Sequence, residues 1–307
     1  MNKTRKTLLI VLSVVLALAV LSFVMLALVG WNFANIGGGK TEEKTVSILN
    51  SYSNIEVTEV SADVKIEVST SGNYRVEGYK RGNMFTEVVG STTSSTLKVT
   101  VEDNRAWYEK IFANLSDLSV TIYVPNSDYE LIKVKTVSGD ITIEDEIDSE
   151  TVKLSSVSGD IESYTIASEI YNVSSTSGDV SINGYGQGLV NVETTSGDVT
   201  MTEFDAESIT AKTVSGELYF HNVMATEDME GETTSGDIIF KYADAEGSMK
   251  FVTTSGNIDG EITNSKNIQT STVSGRVNVP KTFENESLLS MKTTSGNISV
   301  KYYGIDM

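Results

Sequence analysis

No cysteine occurs in the chain, histidine occurs once, and Lys and Arg together number 23 against 42 Asp and Glu. Without thiols there can be no disulfide, so stability outside a cell must come from burial and backbone pairing. A thiol-linked lipid anchor is excluded for the same reason. The single imidazole, His221, cannot join a second one or a thiolate in a metal cluster, and no Gly-x-Ser-x-Gly elbow is present to pair it with a nucleophile. The shortage of positive charge argues against nucleic acid, whose phosphates require clustered Lys and Arg. It also argues against lying flat on an anionic lipid surface. The acidic excess favours cations and cationic partners, or serves only to keep a long β surface soluble and to discourage edge-to-edge sticking.

Long apolar runs are confined to the amino terminus. Lys3, Arg5 and Lys6 precede 22 uncharged residues from Leu8 to Val29. As a helix at ~1.5 Å per residue this run rises roughly 33 Å, enough to cross a hydrocarbon core of about 30 Å. A cleaved signal peptide is the alternative. Ala17-Leu18-Ala19 has suitable residue types for cleavage, but the apolar run continues straight past it. The expected organisation is a basic cytoplasmic tail (1–7), a transmembrane signal anchor (8–31) and a linker (32–44). With the basic cluster held inside, everything beyond about residue 32 lies outside the cytoplasm. That outer part carries 20 Lys and Arg against 42 acids, a charge of −22.

From residue 136 onward one phrase recurs nine times: Ser or Thr, a β-branched residue, Ser, Gly, usually Asp or Asn, then an aliphatic residue. It begins as TVSGDI at Thr136 and ends as TTSGNI at Ile298. Its glycines are Gly139, Gly159, Gly178, Gly197, Gly216, Gly236, Gly256, Gly275 and Gly296, spaced 19 to 21 residues apart. A fixed period near twenty is the signature of a stacked repeat. An aliphatic column stands two residues after each glycine (Ile141 through Ile298), and an apolar one that includes Tyr171, Met229 and Met249 stands seven before it (Ile132 through Leu289). A third, five before, departs from apolar character at Gly231 and Thr270. These offsets differ by two or its multiples within each strand, so the segments are strands with one buried face. The fold class expected is an all-β parallel β-solenoid, with an amino-terminal β cap at 45–130 and the repeat solenoid at 131–307.

Three before each glycine stands a hydroxyl: Thr136, Ser156, Ser175, Thr194, Thr213, Thr233, Thr253, Thr272 and Thr293. It is expected inside, as a ladder donating to the next coil or to a backbone carbonyl. The glycine is expected at a corner with φ > 0, and the following Asp or Asn is expected to bond local backbone N–H groups. With coils ~4.8 Å apart, nine motifs in chain order give a rod of roughly 38 Å with the Gly296 coil at its end. In the cap region, Thr70 to Asn73 suggests a hairpin. Asn104 to Leu115, with Trp107, Tyr108, Ile111 and Phe112, suggests a short helix or lateral loop.

The stretches SADVKIEV (Ser61 to Val68), LSVTIYVP (Leu118 to Pro125) and the first TVSGDITI (Thr136 to Ile143) carry a resemblance. The chain resembles a bacterial membrane-anchored β-strand-repeat family that bears the adhesin label, a domain family of unknown function, over roughly residues 45–307. That resemblance implies one amino-terminal membrane helix, an extracytoplasmic β-solenoid and an envelope-linked role. It supplies no catalytic residues.

The acids are the remaining candidates for chemistry. Asp140, Asp160, Asp179 and Asp198, continuing to Glu217 and Asp237, form a corner column that calcium could neutralise. The column ends in Asn257, Arg276 and Asn297, however, and the glycine-rich calcium nonapeptide is absent. Carboxylate-pair glycosidase chemistry has no distinctive acid pair beside an aromatic groove. The reading is therefore a non-enzymatic envelope surface protein without cofactor or metal. It would be held in the membrane by its amino-terminal helix and would bind an envelope protein or glycan. The alternatives are an envelope-stress regulatory or sensory protein and a carbohydrate-processing solenoid enzyme.

Overall fold

The computed structural model describes residues 40–91, 93–104, 118–164, 166–185, 188–284 and 286–303. The expected anchor at 8–31 and the expected helix or loop at 104–115, apart from Asn104, lie outside them. Among the described residues every regular element is a strand, and no helix is long and apolar enough to cross a membrane. The strands belong to one unit, Thr41–Asp103 with Leu115–Met307.

The architecture is a parallel β-solenoid. Each coil contributes two strands separated by the Ser-Gly corner, such as Leu189–Glu193 and Val199–Ala206 around Gly197. Equivalent positions pair in register from coil to coil: Val190 with Ile209, Ile209 with Met229, and Met229 with Met249. On the second face Val180 pairs with Val199, Val199 with Leu218, and Leu218 with Ile238. The apolar columns thus stack on themselves and are almost fully buried, except in the Gly275 coil, where Val277 is exposed and Ile268 half-buried. The glycine at 231 has a packing cause: a Cβ there would lie 2.8 Å from Cδ1 of Phe251. That ring fills the space, stacked on Phe240 at 4.5 Å.

Chain order and spatial order part company at both ends. Met249–Val252 pairs not with the next strand in sequence, Asn267–Ser271, but with Leu288–Lys292. Asn267–Ser271 then adds to the far side of Leu288–Lys292. On the other face Ile298–Tyr302 sits between Ile258–Ile262 and Val277–Asn278. The Gly296 coil is therefore interior and the Gly275 coil is the end, which corrects the expectation drawn from chain order. Exposure agrees: Val273 is 83% exposed, against 44–47% for the equivalent Val137, Val157 and Val214.

The same exchange occurs at the other end. Asn54–Thr58 lies between Thr96–Asp103 and Tyr129–Lys135, and Asp63–Val68 lies between Ser119–Val124 and Ile141–Ile143. The region 45–130 thus adds two coils to the nine, and ten steps of ~4.8 Å give a stack of roughly 48 Å. Tyr74–Arg81 runs antiparallel to Ser119–Val124 and to Thr41–Ile48. Thr70 to Asn73 is consequently not a hairpin turn. It carries the chain over the strand Ser119–Val124, with Gly72 at φ 69° making the bend.

A buried ion pair secures the exchange at the carboxyl end. Lys266 and Asp244 are each 2% exposed, and the Lys266 ammonium meets the Asp244 carboxylate. It also donates to the Ala245 carbonyl at 2.7 Å and to Ser287 Oγ at 2.7 Å. Asp244 in turn accepts from Thr263 Oγ1 at 3.2 Å and from Asn264. Lys266 stands where the chain leaves for the end coil and Ser287 where it returns, so one ammonium ties both crossings together.

Candidate functional site

The repeated corner is a structural device. A Cβ on Gly197 would sit 2.0 Å from the Gly178 carbonyl oxygen, and one on Gly216 would sit 1.8 Å from that of Gly197. The same approach recurs at Gly139, Gly159, Gly178, Gly236, Gly256, Gly275 and Gly296. None of the nine has φ > 0; the left-handed glycines among the described residues are Gly72, Gly82 and Gly184. The expectation of a left-handed corner is therefore corrected. Glycine is required there because successive coils touch backbone to backbone, leaving no room for a side chain.

Beneath each corner lies the hydroxyl column. Thr213 Oγ1 donates to the Gly197 carbonyl at 3.0 Å and accepts from the Gly216 N–H at 3.1 Å. Thr233, Thr253 and Thr293 donate at 2.9–3.0 Å to the carbonyls of Gly216, Gly236 and Gly256. Ser175 and Thr194 reach Gly159 and Gly178 at 3.4 and 3.3 Å. Thr272 donates to Gly296 at 3.1 Å, so this column also records the exchanged order of the last coils. Thr136 and Ser156 accept from their own corner N–H groups at 3.0 and 2.8 Å.

The acidic column has an equally structural task, though not the local one expected of it. Asp140 Oδ1 accepts the N–H of Asp160, Asp160 that of Asp179, and Asp179 that of Asp198, each at 2.8 Å. Each carboxylate reaches across to the next coil. Amides serve as well: Asn257 Oδ1 accepts from Asn297 N–H and Asn297 Oδ1 from Arg276 N–H, both at 2.9 Å. Arg276 has no acceptor, and as the last member of the stack it has no following coil to serve. The crowding of like charge is felt at Glu217, whose carboxyl is held above its ordinary range by partial burial and then by Asp198 and Asp237. Among the described residues no group of three or more acids or histidines is placed to hold a metal.

One further corner was not apparent from the repeat. Glu59-Val60-Ser61-Ala62-Asp63-Val64 occupies the same place one coil before Gly139: the Ser138 N–H donates to the Val60 carbonyl at 2.8 Å and the Asp140 N–H to Asp63 Oδ1 at 3.0 Å. Glu59 takes the hydroxyl's position. It is 2% exposed and accepts from the Tyr79 hydroxyl at 3.4 Å. Burial pushes its carboxyl up to about 8.

The outward faces carry the remaining chemistry. His221, the single histidine, lies beside Tyr219 with ring centroids 6.3 Å apart and against the edge of Tyr242 at 5.5 Å. Tyr242 meets Tyr303 edge-on at 4.6 Å, and the Lys241 ammonium lies 5.8 Å above the Tyr219 ring. Six residues past successive corner glycines, Gly184, Glu203, Asn222 and Tyr242 all have φ > 0. This column of left-handed residues runs through four consecutive coils; its signal in the sequence is only the Gly and Asn among its four members.

No match was found among curated proteins. A "putative adhesin" from Bacteroides fragilis is 17% identical with a TM-score of 0.45, covering 86% of this chain and 99% of that one. A "putative lipid binding protein" from Parabacteroides distasonis is 17% identical with a TM-score of 0.39, covering 85% and 98%. A "putative adhesin" from Parabacteroides merdae is 11% identical with a TM-score of 0.40, covering 87% and 97%. Those names belong to those proteins, and at this distance they do not bear on what this chain binds. The sequence itself is more telling, because residues 52–301 match one family over nearly the whole stack: the chain belongs to the Toastrack DUF4097 family.

Proposed function

We propose that this protein is a single-pass, non-enzymatic component of a bacterial cell envelope that holds its solenoid outside the membrane as a binding surface. The observation that supports this reading best is the place of the first strand. Thr41–Ile48 pairs with Tyr74–Arg81 at one extreme of the stack, while the Gly275 coil closes the other. The first described strand thus lies at one end of the rod, and ten coil steps carry the far end roughly 48 Å away from it. Residues on the two outward faces follow no single motif. The corner that does repeat is occupied with coil-to-coil hydrogen bonds, which supports display and not catalysis as the purpose of the repeat.

Protease added to intact protoplasts should digest residues beyond 40 while an amino-terminal tag survives. A solenoid that stays protected would refute the outward orientation. Replacing Leu8–Val29 with an unrelated membrane helix should leave binding to intact cells unchanged; loss of function on that exchange would favour a regulator acting through its helix.

A further inference from the structure

We propose that the outward face shared by the Gly216, Gly236, Gly256 and Gly296 coils is a binding site for a linear, neutral glycan. The inference rests on the reading of the rod as a binding surface and names the class of ligand. Four adjacent coils supply the groups. Tyr219 and His221 come from Leu218–Ala225, Ile239 and Lys241 from Ile238–Lys241, Asp259 and Glu261 from Ile258–Ile262, and Ser299 and Lys301 from Ile298–Tyr302. Each pair is two residues apart and so points to the same side of the sheet. Tyr242 and Tyr303 follow directly at the strand ends.

Three observations converge here. The first is the linked rings of Tyr219, His221, Tyr242 and Tyr303, of which Tyr303 is 59% exposed. The second is the backbone of Tyr242, held at φ 56° where the three preceding coils place Asn222, Glu203 and Gly184. A large aromatic residue is an expensive occupant of that conformation, and such outliers point to function. Here it turns the phenol ring out against His221 and Tyr303. The third is a shallow trough of about 300 Å³ beside the rings, lined by Ile239, Lys241, Tyr242, Asp259, Glu261 and Lys301 among others. Within that lining Lys301 pairs with Glu261 at 2.8 Å.

A pyranose has an apolar C–H face and a rim of hydroxyls. The rings offer the first a stacking surface, and the carboxylates and ammonium groups offer the second both acceptors and donors. A polyanionic glycan fits less well, because Asp237, Asp259 and Glu261 stand together in a chain of net charge −19. An extended peptide also fits less well. It gains most of its affinity by adding to an open strand edge, whereas Ile258–Ile262 here is paired on both sides.

The test is titration of the full-length protein in detergent micelles with chitotetraose, cellotetraose and maltotetraose, read by calorimetry and by saturation transfer from aromatic protons to sugar C–H groups. At least one should bind and show transfer. Tyr219→Ala and Tyr303→Ala should each weaken binding about tenfold. Tyr242→Asn, which suits the left-handed backbone, should do the same without changing the denaturation midpoint. Tyr164→Ala, an exposed ring three coils away, should change nothing. Binding by none of the three sugars would overturn the proposal, as would binding that survives both Tyr219→Ala and Tyr303→Ala. Tetragalacturonate binding equally tightly, or a selected peptide binding this face while the sugars do not, would overturn it as well. Because the protein is purified, a failed titration leaves the outward orientation standing, and a protected solenoid in protoplasts leaves the titration standing.

Discussion

Replacing single corner glycines by alanine asks what holds the coils together and in which order. At Gly216 the added methyl would lie 1.8 Å from the Gly197 oxygen, well inside any tolerable contact, so the coils must part by more than 1 Å or so locally. Parting them stretches the Thr213 bond to the Gly197 carbonyl at 3.0 Å and the Glu217 N–H bond to Asp198 at 2.7 Å. The first of these is buried, and an unsatisfied buried partner costs about 1–3 kcal/mol. With the second bond weakened too, Gly216→Ala should cost about 3–5 kcal/mol. Gly296→Ala faces the same contact with Gly256 at 1.9 Å and has the Gly275 coil stacked on its other side. It should cost a similar amount. Gly275→Ala meets Gly296 at 1.8 Å, but its coil has one stacked neighbour and can fray. A loss of about 1–2 kcal/mol is expected, in keeping with nearest-neighbour coupling in repeat proteins. Denaturant midpoints of the full-length protein, followed by far-ultraviolet circular dichroism, rank the three. If Gly296→Ala proved mild and Gly275→Ala severe, the exchanged coil order would be wrong. If all three shifted the midpoint negligibly, close backbone approach would not be the reason for the repeat.

Thr213→Val keeps the side-chain shape while leaving the Gly216 N–H and the Gly197 carbonyl without their shared hydroxyl, so a loss of about 1–3 kcal/mol is expected from the same measurement. Lys266→Met leaves Asp244 buried and without its ammonium and should cost about 3–5 kcal/mol, whereas adding Asp244→Asn should recover part of that loss; a single variant as stable as the parent would show that the ion pair does not secure the end coils. Glu59 is held near 8, above its ordinary value of 4.5, so the folded state binds the extra proton between those values. Its contribution is full below about pH 4.5 and is lost as pH rises through about 8. Glu59→Gln should therefore match the parent below about pH 4.5, exceed it increasingly from about pH 4.5 to 8 and by a constant amount above that; a stability difference that does not vary with pH would refute this.

The solenoid was legible because its cause is local and repeated. A strand buried on one face shows alternation, and a corner with room for glycine alone shows glycine every 19 to 21 residues, so fold class and buried columns could be read from the chain. The hydroxyl's inward placement followed from the same alternation. The reason for the glycine could not be read this way, since a left-handed turn and a carbonyl pressed against the next coil impose the same residue. Only the positions of adjacent coils separate the two. The acidic column was similar: its change from Asp to Asn to Arg looked like loose constraint until the stack showed Asp and Asn side chains accepting from the next coil and Arg276 on the last coil, with none to serve. Coil order lay beyond the sequence altogether, because the Gly275 and Gly296 corners carry nearly the same phrase and either could dock on Gly256. The choice is made by Lys266, Asp244 and Ser287, residues from three separate segments whose meeting no spacing announces. The aromatic face is hidden for the same reason. Tyr219, His221, Tyr242 and Tyr303 span 85 positions of chain, and only parallel stacking, which sets residues twenty apart ~4.8 Å from one another, makes them a surface.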